Sequence, residues 1–377
     1  MGTNNSKQIN PQMVTLARES RGLSQPELAN ILNVNQGWIS RIEGGLRTIK
    51  PELINQLAEA LNYPASFFTI QDKIYGLGAN NYFHRKAQSL SNRALTKIHA
   101  SIYIRTMQIT RLLRGVETIE NKIKPINIDD FDGDASEVAR VVRIKWNIPR
   151  GPIDDVTSVI EEAGGIIIPF DFETNDIEAI YHNVPGIPPL FFTNCYSPSD
   201  RTRLTLCHEL AHALIHTETF DPEIIENQAF AFAAEFLIPK NEIFTQLSDL
   251  SLDKLMVLKQ YWKVSMSALL KRAGDIGAIT PSRSKQLWMQ MSKAGFRKHE
   301  PPELNLPNEE PSTLKQLVHV YFEDMDYRIP EFAKLISLNQ SEAKQYYIDQ
   351  ELYHKFKENR NAINEAERIL RDSQDSP

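Results

Sequence analysis

Residues 199–216 read SDRTRLTLCHELAHALIH and contain His208-Glu209-Leu210-Ala211-His212. Helix is predicted from Ser199 onward. A spacing of four puts both imidazoles on one helix face, about one turn apart, so one metal ion can take both. Glu209 follows His208 at the edge of that face, in reach of a water it can deprotonate as general base. Zinc (Zn2+) suits such a site, because it polarises a scissile carbonyl and makes water acidic. A catalytic zinc also takes a third protein ligand. Downstream, residues 226–239 read ENQAFAFAAEFLIP, a helix closed by Pro239. Glu226, Ala229 and Ala233 share one face, and the alanines allow close approach to the histidine helix, which brings Glu226 to the metal. Glu235 lies nine residues on, about 900° or half a turn out of phase, and points elsewhere.

Three neighbours read differently. His216 continues the four-residue series, but each step drifts about 40° around the helix, so it is expected to pack or to support a ligand. Cys207 points away from the histidine face and reads as a small buried residue rather than a nucleophile. Tyr181 and His182, on or beside a short strand, are candidates to line the cleft and steady an oxyanion; packing is the other reading. That strand, Ile177–Tyr181, is one of three expected, with Ile166–Ile168 and Leu190–Thr193.

SPSDRTRLTLCHELAHALIH (197–216) and IENQAFAFAAEFLIP (225–239) closely resemble the ImmA/IrrE family of metallopeptidases. YWKVSMSALLKRAGDIGAI and GFRKHEPPE resemble that family's usual continuation, so the resemblance covers about residues 140–305. It implies a gluzincin-like core with a small sheet, His208, His212 and Glu226 as metal ligands and Glu209 as the catalytic residue. Cys207 stands where the family more often has Ala.

Nearer the N-terminus, residues 11–69 read as an all-helical unit. Ser24-Gln25-Pro26-Glu27 is a capping box with proline in the first turn. Asn33-Val34-Asn35 is a short turn, and a helix of about 35–43 ends at Gly44-Gly45. Two helices joined this way, the second short and polar, fit a helix-turn-helix. Asn35, Gln36, Trp38, Ser40 and Arg41 are its candidate reading residues. Asn and Gln bond adenine edges in pairs, and Arg41 can reach guanine or phosphate. Gln25 opens the preceding helix, where phosphate binds. The run LSQPELANILNVNQGWISRIEGGLRTIKPELINQLAEALNYPASFF (23–68) resembles the lambda-repressor-like XRE family. That resemblance covers about residues 10–70. It implies a five-helix domain that binds a double-stranded DNA operator in the major groove, usually as a homodimer. Gly37 departs from the Ser or Thr often found there, and removes a contact side chain.

The rest of the chain carries two charge blocks. From Asn80 to Gly115 there are seven Lys or Arg and no acid. Leu95, Ile98, Ile102, Ile109, Leu112, Leu113 and Val116 fit one face of a long helix, with Arg93, Lys97 and Arg111 opposite. That polar face is expected either to meet phosphate or to be solvated. Arg105 falls in the apolar stripe and must snorkel or find an acidic partner. From Glu300 to Pro377 there are 16 acids against 9 Lys or Arg. There Ile329–Gln340 has the rhythm of the start of a helix-turn-helix, but its acidic setting argues against DNA contact, and it reads as an interaction or dimerisation element. No internal repeat of fixed period is expected.

The 377 residues suggest two or three domains. With 41% hydrophobic and 24% charged residues, the chain is not disordered, collagen-like or a disulfide scaffold. Two cysteines, no signal-peptide pattern and no apolar run of membrane length make a cytoplasmic protein with no membrane partner the expectation. A net charge of −6 argues against a wholly nucleic-acid-coating protein. The expected fold is mainly α with a small β-sheet (α+β). Its segments are the helix-turn-helix domain (10–70), a basic helical connector (71–134), the metallopeptidase domain (135–300) and an acidic helical C-terminal region (301–377).

The whole chain resembles fusions of an XRE domain with an ImmA/IrrE peptidase, whose stand-alone members cleave XRE-type repressors. This implies a DNA-binding transcriptional regulator with a zinc-dependent endopeptidase domain that cleaves itself or a partner repressor in a stress or mobile-element response. The alternative is a non-proteolytic regulator, or an antitoxin-like protein, whose metal site is structural or sensory. Glu209 favours the enzyme, since a structural zinc site does not need it.

Overall fold

The structure, a computed structural model, describes residues 9–47, 51–72, 90–117, 119–216, 221–297 and 299–348. Its first helices are α1 (Pro11–Ser20), α2 (Gln25–Ile31), α3 (Gln36–Glu43), α4 (Pro51–Leu61) and α5 (Asn92–Leu113). Next come α6 (Ala135–Lys145), α7 (Val156–Glu162) and the strands β1 (Ile166–Phe170), β2 (Ala179–His182) and β3 (Leu190–Asn194). The helices α8 (Ser199–Ile215), α9 (Pro222–Leu237), α10 (Lys240–Ile243), α11 (Leu252–Trp262), α12 (Met266–Asp275) and α13 (Pro281–Lys293) follow. The last three are α14 (Thr313–Glu323), α15 (Ile329–Leu335) and α16 (Gln340–Tyr347). The fold is mainly α with one small sheet.

Contacts divide the chain into two compact units. The first holds the described residues up to 72, 90–117 and 314–348; the second holds 119–313. This grouping cuts across the four segments expected from sequence. The long basic helix and the acidic C-terminal helices share one core with the helix-turn-helix, because their apolar faces cover each other.

In the first unit each local signal has its structural counterpart. The Ser24 hydroxyl accepts from Glu27 N at 3.3 Å, and Glu27 Oε2 accepts from Ser24 N at 2.7 Å, closing the capping box of α2. Gly22, at φ 65°, turns the chain out of α1. A 3-10 turn, Ala65–Thr69, buries Phe67 and Phe68 and supplies the fifth helical element of the domain. Met13, Leu28, Ile39, Ile42, Leu57 and Leu61 form the core around them.

α5 differs from its expected role. Ala100, Ile104 and Leu112 join this core, together with Leu317, Val318, Phe332 and Ile336 of the C-terminal helices. Its polar face is paired within the unit: Arg93 with Glu27 at 2.9 Å, and Arg111 with Asp72 at 2.8 Å and the Ser337 hydroxyl at 2.6 Å. Among the described residues Arg105 meets no acid; its guanidinium lies 4.5 Å from the ring centres of Tyr346 and Tyr347. Aromatic faces thus replace the expected acidic partner.

The second unit is built on a three-stranded mixed sheet of order β1-β3-β2. β1 runs parallel to β3, Ile166 facing Leu190, and β2 runs antiparallel to it, Ala179 facing Thr193. Gly164 precedes β1 at φ 92°, and a Cβ there would stand 2.9 Å from the Asn121 Cα. α8 packs along β2 and β3, and α9 packs against α8 and α6. Ala229 and Ala233 are fully buried, which permits the close approach of α9. No helix among the described residues is long and apolar enough to cross a membrane.

Candidate metal centre and nucleic-acid interface

α8 is buried on almost every side from Arg203 to Ile215, so its polar residues sit in a low-dielectric setting. There His208 Nε2 and His212 Nε2 lie 3.1 Å apart. From the neighbouring α9, Glu226 places Oε2 3.4 Å from the first and Oε1 3.5 Å from the second. All three side chains are buried. Two nitrogens about 2.0–2.1 Å from a tetrahedral zinc stand about 3.3 Å apart, close to the spacing seen. Among the described residues Glu226 Oε2 receives no hydrogen bond, a costly state for a buried carboxylate unless a cation meets it. The donor set fits a metal ion.

A chain of hydrogen bonds fixes the protons behind this triad. The Gln228 amide nitrogen donates to Gly133 O at 3.4 Å, which turns its oxygen toward His216. That oxygen accepts from His216 Nε2 at 3.1 Å, and His216 Nδ1 then accepts from His212 Nδ1 at 3.0 Å. The Nε2 lone pair of His212 is left facing Glu226. Burial, then the nearby His208 and His216, hold His212 well below the usual histidine range. Burial carries His216 down to about 4 against its bond to Gln228. Both rings are therefore neutral near pH 7, as ligation and this chain of bonds require.

Glu209 is buried, and its Oε2 accepts from Tyr181 N on the edge strand β2 at 2.9 Å. The Tyr181 phenol is pushed up to about 12 by burial and then by the Glu209 charge. Its ring stacks on Phe191 at 5.4 Å. His182, the next residue, points to the other side of the pleat and is almost wholly buried. The structure therefore brings the Tyr181 backbone to Glu209. Glu235 faces away from the triad, paired with Arg272 and Arg140 and accepting from Lys240 N. Cys207 is buried, which pushes its thiol up.

Two residues passed over in the sequence belong to this neighbourhood. Gln228 orients His216, a role set by a carbonyl on a distant loop that no spacing rule reports. Phe230 lies with its ring 4.5 Å from that of His208 and is 40% exposed. An exposed phenylalanine beside buried histidines was the available signal.

In the helix-turn-helix, Asn35, Gln36, Ser40 and Arg41 are exposed. Asn35 caps α3, its Oδ1 accepting from Gly37 N at 2.8 Å. A Cβ at Gly37 would stand 3.2 Å from that oxygen, so glycine relieves crowding at the cap. Gln36 donates to Gln25 at 3.0 Å, Gln25 donates to Glu43 at 2.8 Å, and Arg18 holds Glu43 at 2.6 Å. Trp38 is only half exposed and packs on the core, so it contributes less to the outward face than the other four.

Fold and site together define a helix-turn-helix protein fused to a peptidase-like domain. Residues 14–66 match a helix-turn-helix domain family, and residues 161–273 match the IrrE N-terminal-like domain family. No curated protein matches the chain.

Proposed function

We propose that this protein is a transcriptional regulator that reads operator DNA through α3 and carries a zinc-dependent endopeptidase in its second unit. The observation that carries the reading is the buried convergence of His208, His212 and Glu226 beside a Glu209 carboxylate pinned by the Tyr181 amide. Two imidazoles and a carboxylate suit zinc, which would act as Lewis acid on the scissile carbonyl. Glu209 takes the proton of the attacking water and returns it to the leaving amine. The Tyr181 phenol, kept protonated, donates toward the developing oxyanion. The substrate is a protein, either this chain or a partner repressor.

Replacing Glu209 by Gln tests the enzyme directly. It removes the base and neither ligand nor reader, so zinc content and operator binding stay near wild type while fragments disappear from mass spectra of zinc-loaded protein incubated with partner repressors. Undiminished fragments from Glu209→Gln would overturn the assignment. Zinc bound without fragments in the wild type would favour a sensory metal site.

A further inference from the structure

The C-terminal helices repeat the helix-turn-helix residue for residue. Adding 304 to each number carries α1–α3 onto α14–α16 without a gap. Buried Met13, Val14 and Ala17 become buried Leu317, Val318 and Tyr321. Gly22, at φ 65°, becomes Asp326, at φ 54°. The α2 cap, Ser24 N to Glu27 Oε2 at 2.7 Å, becomes Arg328 N to Glu331 Oε2 at 2.7 Å. Pro26, Leu28 and Ala29 become Pro330, Phe332 and Ala333. The left-handed Asn33 becomes the left-handed Ser337, at φ 52° and 56°. The turn bond from Val34 N to Ala29 O, 2.9 Å, becomes Leu338 N to Ala333 O, also 2.9 Å. Asn35 before the eight-residue α3 becomes Asn339 before the eight-residue α16.

The equivalence extends to the outward face. Gln36, Gly37, Ser40 and Arg41 correspond to Gln340, Ser341, Lys344 and Gln345, all four exposed. These are hydrogen-bonding and basic types suited to base edges and phosphate. Among the described residues, the acidic setting that argued against DNA does not extend to this face. Of the 16 acids after residue 299, five lie in 313–348, against four Lys or Arg. Glu331 is engaged in its cap and Glu342 is held by Arg21 at 2.7 and 3.0 Å. Glu323, Asp324 and Asp326 lie at the end of α14 and in the turn after it, away from α16 in sequence.

The second copy is fixed to the first. Asn339 donates to Asn62 at 2.8 Å, and the Tyr347 hydroxyl meets Gln108 of α5 at 2.7 Å. We infer that α16 is a second DNA-reading helix, so that one chain presents two readers to one double-stranded operator of two unequal halves. This rests on the reading of the first copy as a DNA binder.

The test uses the full chain in three forms: wild type, Gln36→Ala with Arg41→Ala, and Lys344→Ala with Gln345→Ala. Each is taken through selection from random duplexes, hydroxyl-radical footprinting and affinity against salt. The substituted side chains are exposed, and circular dichroism checks that each form is folded. The wild type is expected to select and protect a two-part site. The second-copy variant should lose protection of one half, with affinity reduced about tenfold. Its salt slope should fall by about 0.9 if Lys344 meets phosphate. A second-copy variant with wild-type footprint and affinity, beside a first-copy variant that loses both, would overturn the second reader and leave the first standing. A wild type that binds no duplex would overturn both. A Lys344→Glu variant with an unchanged footprint would assign this face to a protein contact or to support alone.

Discussion

Glu226 and Glu235 are two acids of one helix with opposite surroundings. Glu226 offers oxygens to two imidazole nitrogens; Glu235 is locked between two guanidinium groups. Glu226→Ala is therefore expected to weaken zinc binding at least roughly tenfold, about 1.4 kcal/mol, in a chelator competition. Glu235→Ala should leave zinc affinity near wild type but strand Arg272 in the interior, lowering stability by about 3–5 kcal/mol in denaturant titration. Gln228→Ala removes the oxygen that sets the His216 tautomer. It should cost about tenfold or more in zinc affinity while Glu226 and both ligating rings remain. The half-turn between the two acids was legible from 100° per residue. Gln228 was not, because its meaning depends on Gly133 O, 95 residues away in sequence.

Helix α5 shows how charge on an element misleads when its partners lie far along the chain. An acid-free run invited a phosphate-facing or solvated surface, and the apolar stripe caught Ile98, Ile102, Ile109 and Leu112 but missed the buried Ala100, Ile104 and Met107. Its arginines also tie segments of the first unit together: Arg93, still largely exposed, to α2, and Arg111 to Asp72 and Ser337. Arg111→Ala should lower the stability of the first unit by about 1–3 kcal/mol, read by chemical denaturation, because charged hydrogen bonds are lost. The salt slope of operator binding should stay unchanged. The small strands and the capping box at Ser24–Glu27 were legible because their signals are local. The half-burial of Trp38 was not, since a three-residue turn does not say how far the third helix rolls onto its neighbours.

At the scale of the whole molecule, the peptidase-like unit interrupts the DNA-binding unit rather than following it. Phe332, Ile336 and Tyr347 share a core with Leu112 and Leu61. A chain ending at Thr313 should therefore expose that apolar face. Increased binding of a hydrophobic dye and a lower melting temperature of the helix-turn-helix, followed against the full chain, would report it. The sequence suggested a separate acidic C-terminal region from residue 301. It could not show that the chain returns to its first core, because that return is carried by apolar contacts more than 200 residues apart in sequence.

The interruption changes what a backbone cut means. A cut in residues 118–313 leaves the two parts of the DNA-binding unit on separate chains, held together by non-covalent contacts alone. Their separation then follows dilution and a dissociation constant instead of chemistry. Under the proposed function, operator occupancy would decay on the timescale of strand parting and cell growth, so the broken bond would act as a timer rather than as an immediate release.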